Sequence, residues 1–347
     1  MRAEITIDKE EMMRRMTWAM AAAVALLIAA LPRAAQAAKA EPCGRACLEA
    51  VVDRYLAALA AHDPTQAPLA KKVKLTENGQ LLAPGDGLWG TATGLGKYKL
   101  YVADPEEGAV GFMGVVLEND LPVILALRLK VKKGRITEIE QIVAREAFVP
   151  LGGDPAKGSG APLERQGSPH AIFLEPLAPG ERVARPEMIA IANSYFSALE
   201  RNDGKKHVPF DKECNRQENG FRTTNNPKLD RRQSPVRIFG MSCEEQFKQG
   251  YLAFVTAIRD RRFAVVDEER GLVLAFGFFD HSGAAKTITL ADGRTIPSPV
   301  RAPLTFEIAE LFKIKDGRIR QIEATLITVP YSMKSAWDES NPLVWPF

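Results

Sequence analysis

The sequence is poor in cysteine and histidine, with four of each among 347 residues. No second close cysteine pair accompanies Cys43 and Cys47, and no histidine stands at ligand spacing to them, which argues against a zinc site. The spacing of Cys-Gly-Arg-Ala-Cys at 43–47 has one residue too many for a redox C-x-x-C. A P-loop, a dinucleotide fingerprint, H-E-x-x-H and G-x-S-x-G are all missing. Catalysis, if present, is then acid–base work in a closed pocket, without metal or cofactor. Charge is nearly balanced, with 46 Lys and Arg against 43 Asp and Glu. The formal net charge of +3 is too small to indicate nucleic acid without a local basic cluster. A chain that is 46% hydrophobic and 26% charged is neither mostly disordered nor fibrous, and its length suits about two domains.

Apolar residues are concentrated once, near the start. Arg14 and Arg15 precede the uncharged stretch Thr17–Leu31, and Ala35-Gln36-Ala37 follows. A basic n-region, a short apolar segment and small residues before a cut describe a secretory signal peptide over 1–37, cleaved after Ala37. The stretch is shorter than the roughly 20 residues of a spanning helix, which disfavours a retained anchor. Glu41 and Pro42 before Cys43 do not form a lipobox. The twin arginines are a weak sign of export in the folded state. No stable membrane association is expected after cleavage, and the protein is placed in the periplasm or outside the cell. In that compartment an even cysteine count points to disulfides. Three pairings are open, and Cys43–Cys47 with Cys214–Cys243 is the favoured one.

The rest of the chain reads as one unit written twice. Asp53–Asp63 aligns without gaps on Asn193–Asp203, placing Tyr55 on Tyr195 and Leu59 on Leu199. Glu77-Asn78-Gly79 matches Glu218-Asn219-Gly220. Val102–Asn119 matches Val265–Ser282, with Asp104/Asp267, Gly108/Gly271 and Gly114/Gly277 in register. Leu129–Ile139 matches Phe312–Ile322. Each unit opens with a helix, seen at 187–201 as an apolar stripe near the 3.6 period. Strands follow. Val273–Phe279 is apolar on both faces and reads as a buried strand, and Lys315-Asp316-Gly317-Arg318 is a tight hairpin turn, as is Lys133-Gly134. Gly and Pro crowd 151–184, which reads as a linker between domains at 38–150 and 185–337, with a tail at 338–347. A helix followed by a curved, mixed or antiparallel sheet is an α+β pattern.

These elements resemble the nuclear transport factor 2-like superfamily, the cone-shaped ketosteroid isomerase and SnoaL-like proteins. The residues carrying the likeness are the helix Val51–Ala61 and the turn Asp316-Gly317-Arg318-Ile319. Glu218–Pro227, Ile258–Phe263 and Ala309–Ile314 further resemble a secreted, functionally uncharacterised family of that superfamily, found in bacteria and fungi. The resemblance implies two tandem cones, each with an apolar pocket between helices and concave sheet. It also implies pairing of the cones through their sheets within one chain, as an intrachain pseudo-dimer that could associate further as a homo-oligomer. Members range from isomerases, dehydratases and lyases to binding domains, so the fold does not settle the activity.

Several residues are candidates for chemistry. Glu310 shares a strand face with Phe306, Ile308, Phe312 and Ile314, where burial would raise its pKa and suit it to proton transfer. An arginine from Arg259–Arg262 would equally make it a structural ion pair. Its counterpart is Leu127, and the sequence leaves open whether this face or the one carrying Gln321, Glu323 and Thr325 is concave. His281 closes Phe278-Phe279-Asp280-His281 at a strand end, where Asp280 would raise its basicity; the plain alternative is a polar cap. Tyr195, like Tyr55, lies on the helix stripe and suits donation to a substrate oxygen, or ordinary packing with one hydrogen bond. Glu218 and Asn219 either form an Asn-Gly turn or line the pocket, and Arg259 and Phe278 complete the substrate contacts. The second unit is locally basic at Lys205-Lys206-His207, Arg231-Arg232 and Arg259–Arg262. Its aromatics are not interleaved as a nucleic-acid groove requires. The expectation is an exported lyase or isomerase acting on a small apolar or aromatic molecule, with Glu310 or His281 as base and Tyr195 as donor. The alternatives are a hydrophobic binding protein and an assembly scaffold.

Overall fold

Each half of the chain opens with an amphipathic helix, and six strands of each half line up in one sheet. A computed structural model describes residues 43–229, 237–338 and 345–346, with the single positions Glu10 and Met13. Apart from Glu10 and Met13, the segment 1–37 expected to be a signal peptide lies outside the described residues, as do Arg231-Arg232 and most of the tail. In the first half α1 (Arg45–Ala60) is followed by β1 (Leu69–Glu77), β2 (Gln80–Leu82), α2 (Leu88–Thr91), β3 (Ala92–Asp104), β4 (Ala109–Glu118), β5 (Leu121–Lys132) and β6 (Arg135–Ala144). Two short helices, α3 (Ala161–Gln166) and α4 (Ala171–Leu174), lead to the second half. There α5 (Arg185–Leu199) precedes β7 (Phe210–Glu218), β8 (Phe221–Arg222), α6 (Cys243–Lys248), β9 (Ala257–Asp267) and β10 (Leu272–His281). A small hairpin, β11 (Thr287–Thr289) and β12 (Thr295–Pro297), interrupts before β13 (Leu304–Lys315) and β14 (Arg318–Val329), and β15 (Trp345–Pro346) is last.

The two sheets have matching orders, β2-β1-β6-β5-β4-β3 and β8-β7-β14-β13-β10-β9, with β15 alongside β1. Both are mixed, because β1 runs parallel to β6 and β7 parallel to β14 while their other pairings are antiparallel. The expected turns are present: Asp316-Gly317 and Lys133-Gly134 all have positive φ, between 51° and 71°, the geometry of a two-residue hairpin. Gly108 and Gly271 also sit at positive φ, 60° and 63°. A Cβ on either would run into the carbonyl oxygen of Val131 or Ile314, so both turns require glycine.

Each sheet is covered twice, which explains why β10 is buried at every residue. In β13, Ile308, Phe312 and Ile314 pack into the core beneath α5. The alternate residues Ala309 and Leu311 join Ala126, Ile142, Leu272 and Leu274 in a separate core between the two sheets. The segment 151–184, read from composition as a linker, carries part of that core, because Leu163 and Phe173 are buried in it.

Reciprocal ion pairs fasten the halves. Arg45, at the start of α1, donates two bonds to Asp267 at 2.7 and 2.8 Å. Arg185, at the equivalent start of α5, donates two to Asp104 at 2.6 and 3.0 Å. Each aspartate also accepts from a backbone N–H of the opposite half, Ala103 for Asp267 and Val266 for Asp104. Charge-assisted bidentate contacts of this kind fix orientation as well as adding stability. The disulfides are Cys43–Cys47 and Cys214–Cys243, a pairing that fits an oxidising compartment. No helix among the described residues is long and apolar enough to cross a membrane.

Candidate functional site

The register of β13 decides which carboxylates face which core. Glu310 shares the parity of Ile308 and Phe312 and so projects into the second cone beneath α5. Glu307 has the opposite parity, and on β14 Glu323 and Thr325 alternate with Ile322 and Ala324 of the cone, so these face the other sheet. The interior around Glu310 gains charge at two positions relative to its counterpart. Where the first domain has Leu75 and Leu127, the second has Arg216 and Glu310. Repeat alignment could have found Arg216, two residues before the shared Glu-Asn-Gly, as a charge at an apolar position.

Arg216 and Glu310 meet Tyr195. The Tyr195 ring is 1% exposed and packs against Phe247 and Phe312 at 5.1 and 5.2 Å between centroids. Its hydroxyl accepts from Arg216 Nη1 at 3.4 Å and is close enough to Glu310 to influence its proton affinity. Burial lifts the Glu310 carboxyl to about 8; Glu218 adds to the rise, while Arg216 and the Tyr195 hydroxyl pull the other way. Its Oε2 has no hydrogen-bond partner among the described residues. The arginine beside Glu310 is therefore Arg216, and the run Arg259–Arg262 is engaged elsewhere. Arg259 pairs with Asp280 at 2.8 Å, Arg261 with Glu200 at 2.6 Å, and Arg262 with Glu140.

The first domain resolves the same tyrosine differently. Tyr55 donates to Gln141 Oε1 at 2.9 Å, Gln141 Nε2 donates to Glu77 at 2.8 Å, and Arg145 pairs with Glu77 at 2.7 Å. Gln141 lies directly across from Leu127, and Ala324 directly across from Glu310. The polar partner of the helix tyrosine has thus moved from one strand to its neighbour and changed from a neutral amide to a carboxyl.

Of the residues expected to act together, the second cone gathers Glu310, Tyr195 and Glu218. His281 is on the same side of the sheet but six residues further along than Ala275, the cross-strand partner of Glu310. At the usual strand rise this is about 20 Å away, so the two do not serve one small molecule. Asp280 does pull the His281 imidazole upward, as expected, but burial outweighs it. Asp280 accepts from Arg259 and from Thr305 Oγ1, at 2.8 and 2.6 Å, and burial pulls the imidazole down to about 4. The ring stacks on Phe254 and meets the edge of Phe306. Arg259 and Phe278 pack on each other, 4.9 Å from guanidinium to ring. Phe278 shares the strand parity of Leu274 and Phe276, which face the other sheet, so neither residue contacts a ligand in the cone.

Asn219 is a latch. Its amide donates to Leu326 O and accepts from Leu326 N, both at 2.9 Å, extending the β7–β14 pairing past its last residue. Asn78 does the same with Val143 at 3.1 and 2.7 Å, and both asparagines have positive φ before a glycine. Each Asn→Ala substitution is expected to cost roughly 1–3 kcal/mol, because a backbone pair is left unmatched at a strand end. Urea unfolding checks this, and Asn→Asp, which keeps only the acceptor, falls between.

The pocket expected in each cone is occupied by side chains. Trp89 and Tyr55 fill the first, edge to face at 5.2 Å, and the aromatic set around Tyr195 fills the second. Two clefts lie elsewhere. One, of about 240 Å³, spans Asn78, Arg145, Asn219 and Leu326 where the two halves meet. The other is bounded by Gly283–Lys286 and Arg301. Over the Glu310 site lies α6, which the Cys214–Cys243 bridge ties to β7. Its Gln246 accepts from Arg216 Nη2 at 2.7 Å and donates to the Thr223 and Ile238 carbonyls. The equivalent first-domain stretch, 83–91, is short; the cover over the second domain is built from 237–256 together with 223–229.

No curated protein matches the chain in sequence. One family model does, in two segments at residues 42–143 and 181–326, one on each half. These segments span well over half of the sequence, and the chain belongs to that family, the domain of unknown function DUF8021.

Proposed function

We propose that in this DUF8021 protein the second domain does the chemistry, with Glu310 transferring a proton to or from a small, largely apolar or aromatic molecule. The protein is then a cofactor-independent lyase or isomerase, exported through the signal peptide at 1–37, and its halves are nuclear transport factor 2-like cones. The observation that carries this reading is that Arg216 and Glu310 stand at the interior places held by Leu75 and Leu127 in the first domain, with Glu310 Oε2 left without a hydrogen-bond partner among the described residues. A carboxyl held near 8 by burial is protonated at neutral pH and close enough to its midpoint to give up and regain the proton. The Tyr195 hydroxyl beside it is a donor for a developing oxyanion. Access requires displacement of the cover at α6. The first domain, with Tyr55 locked to Gln141, supports its partner as a scaffold.

The test is incubation of the protein with enolisable ketones and β-hydroxy carbonyl compounds in D2O, followed by NMR. The wild type should exchange or convert at least one compound, and Glu310→Gln should lose on the order of 10²–10⁴-fold in rate with its circular dichroism unchanged. Equal rates in Glu310→Gln refute the assignment. Compounds that bind and are never altered make the protein a non-catalytic binder.

A further inference from the structure

Arg216 is 4% exposed, yet its one ion pair among the described residues, with Glu218, is long at 3.5 Å. Nε donates to Thr223 Oγ1 at 3.1 Å and faces Glu218 Oε1 at 3.5 Å. Nη2 is held by the amide oxygen of Gln246 at 2.7 Å, and Nη1 reaches the Tyr195 hydroxyl at a long 3.4 Å. Arg128, equally enclosed, is matched far better, with Glu138 at 2.8 Å and Glu140 at 2.9 Å. A guanidinium removed from water is costly unless close acceptors replace the solvent, and the first domain avoids the cost with Leu75. Beside the under-used Nη1 stands the Tyr195 hydroxyl, and the Glu310 carboxyl, whose Oε2 has no hydrogen-bond partner among the described residues, interacts with both Arg216 and Tyr195. Three polar side chains are therefore neighbours in one buried interior, where the Tyr195 ring packs against Phe247 and Phe312.

We propose that Arg216 binds the carboxylate of a small organic monoanion with an apolar body, which rests on the second cone being the site and names the class of molecule it takes. One carboxylate oxygen takes Nη1 and the Tyr195 hydroxyl, and the apolar body lies against the aromatic walls. Gln246 and Phe247 move aside with α6, since they hold Nη2 and crowd the Tyr195 ring at 5.1 Å. A protonated Glu310 adds a third donor, whereas an ionised Glu310 repels the ligand. Glu218 touches the opposite, Nε edge of the guanidinium.

Formate, acetate and benzoate, with benzamide as the neutral control, are titrated into the full chain by calorimetry at pH 6.5 and pH 9. At least one carboxylate should bind and benzamide should not. Affinity should drop on the order of tenfold to a hundredfold in Arg216→Leu and less in Arg216→Lys. Wild-type binding should weaken at pH 9, whereas Glu310→Gln should bind equally at both pH values. The double variant Arg216→Leu/Glu310→Leu restores the first domain's apolar pair and controls for folding. Failure of the wild type to bind any carboxylate, or equal affinity in Arg216→Leu, overturns the proposal. Turnover of a neutral compound that survives Arg216→Leu but not Glu310→Gln overturns it and leaves proton transfer standing. Carboxylate binding that depends on Arg216, without turnover of any compound, upholds it and removes the proton-transfer reading.

Discussion

Replacing Glu140 by alanine should lower the unfolding free energy by roughly 3–5 kcal/mol, the cost of breaking a buried ion pair by removing one partner. Glu140 is 2% exposed and is gripped from both halves. Arg128 of β5 donates through Nε at 2.9 Å, and Arg262 of β9, in the other sheet, donates through Nη1 at 2.9 Å. Without the carboxylate Arg128 keeps Glu138, but Arg262 loses its ion pair inside the contact between the sheets. Both guanidinium groups also lie against the Trp337 ring, at 4.5 and 5.7 Å, so that residue should loosen with them. The duplication supplies an internal control. Glu323 occupies the equivalent place in the second half and accepts a hydrogen bond from the Tyr98 hydroxyl at 2.6 Å. Glu323→Ala removes a single hydrogen bond and should cost about 1 kcal/mol, with a further penalty if the hydroxyl is left unmatched. Urea unfolding followed by far-ultraviolet circular dichroism and by tryptophan fluorescence measures both. Equal, small losses in the two variants would show that Glu140 does not hold the halves together.

The duplication was open to reading because it leaves marks that survive divergence. Positive-φ glycines, the Asn-Gly turn and the helix stripe all recur at fixed places, since backbone geometry demands them in both copies. The strand parity that groups Glu310 with Ile308 and Phe312 was also visible. Which parity faced the helix was not, because a sheet covered on one side by a helix and on the other by a second sheet is apolar on both faces, as β10 is. For the same reason Phe278 and Arg259 looked like pocket residues, although they belong to the opposite face. His281 misled differently. Adjacent residues on a strand point to opposite sides, so Asp280 bonds Arg259 and Thr305, and the rise its charge gives His281 is outweighed by burial. The clamps from Arg45 and Arg185 and the cover residue Gln246 depend on contacts between segments far apart in the chain. Spacing alone carries no trace of such contacts, though Arg45 and Arg185 do fall in register once the helices are aligned.

The thermal stability of the protein should fall as pH rises from about 6 to 9. Burial, the leading cause in each case, raises Glu307 and Glu310 to about 8 and Glu323 to about 7, from an ordinary value of 4.5. A carboxyl whose folded pKa is raised holds its proton more tightly in the native state. Its stabilising contribution is complete below about 4.5 and is lost as pH climbs through 7 and 8. Each group is worth on the order of a few kcal/mol at full ionisation. Two other buried groups act at the acid end. Burial pulls His281 down to about 4, so its contribution is present above 6.5 and is lost as pH falls toward that value. For Glu140 the two arginines outweigh burial and hold the carboxylate below its ordinary range, so its contribution is also lost on acidification. Lys313, pulled down to about 8 by burial, opposes the alkaline decline only above that pH. Three raised carboxyls outweigh the single histidine above about 4.5, so the optimum should lie near pH 5. Calorimetric melting of Glu307→Gln, Glu310→Gln, Glu323→Gln and the triple variant from pH 5 to pH 9 tests the assignment. Glutamine is neutral throughout, so each single variant should lessen the alkaline decline and the triple variant should nearly flatten it. A triple variant that still melts as steeply with pH as the wild type would mean that the titrating groups lie elsewhere. Glu310 would then be an ionised carboxylate at neutral pH, a base rather than an acid at the start of the reaction.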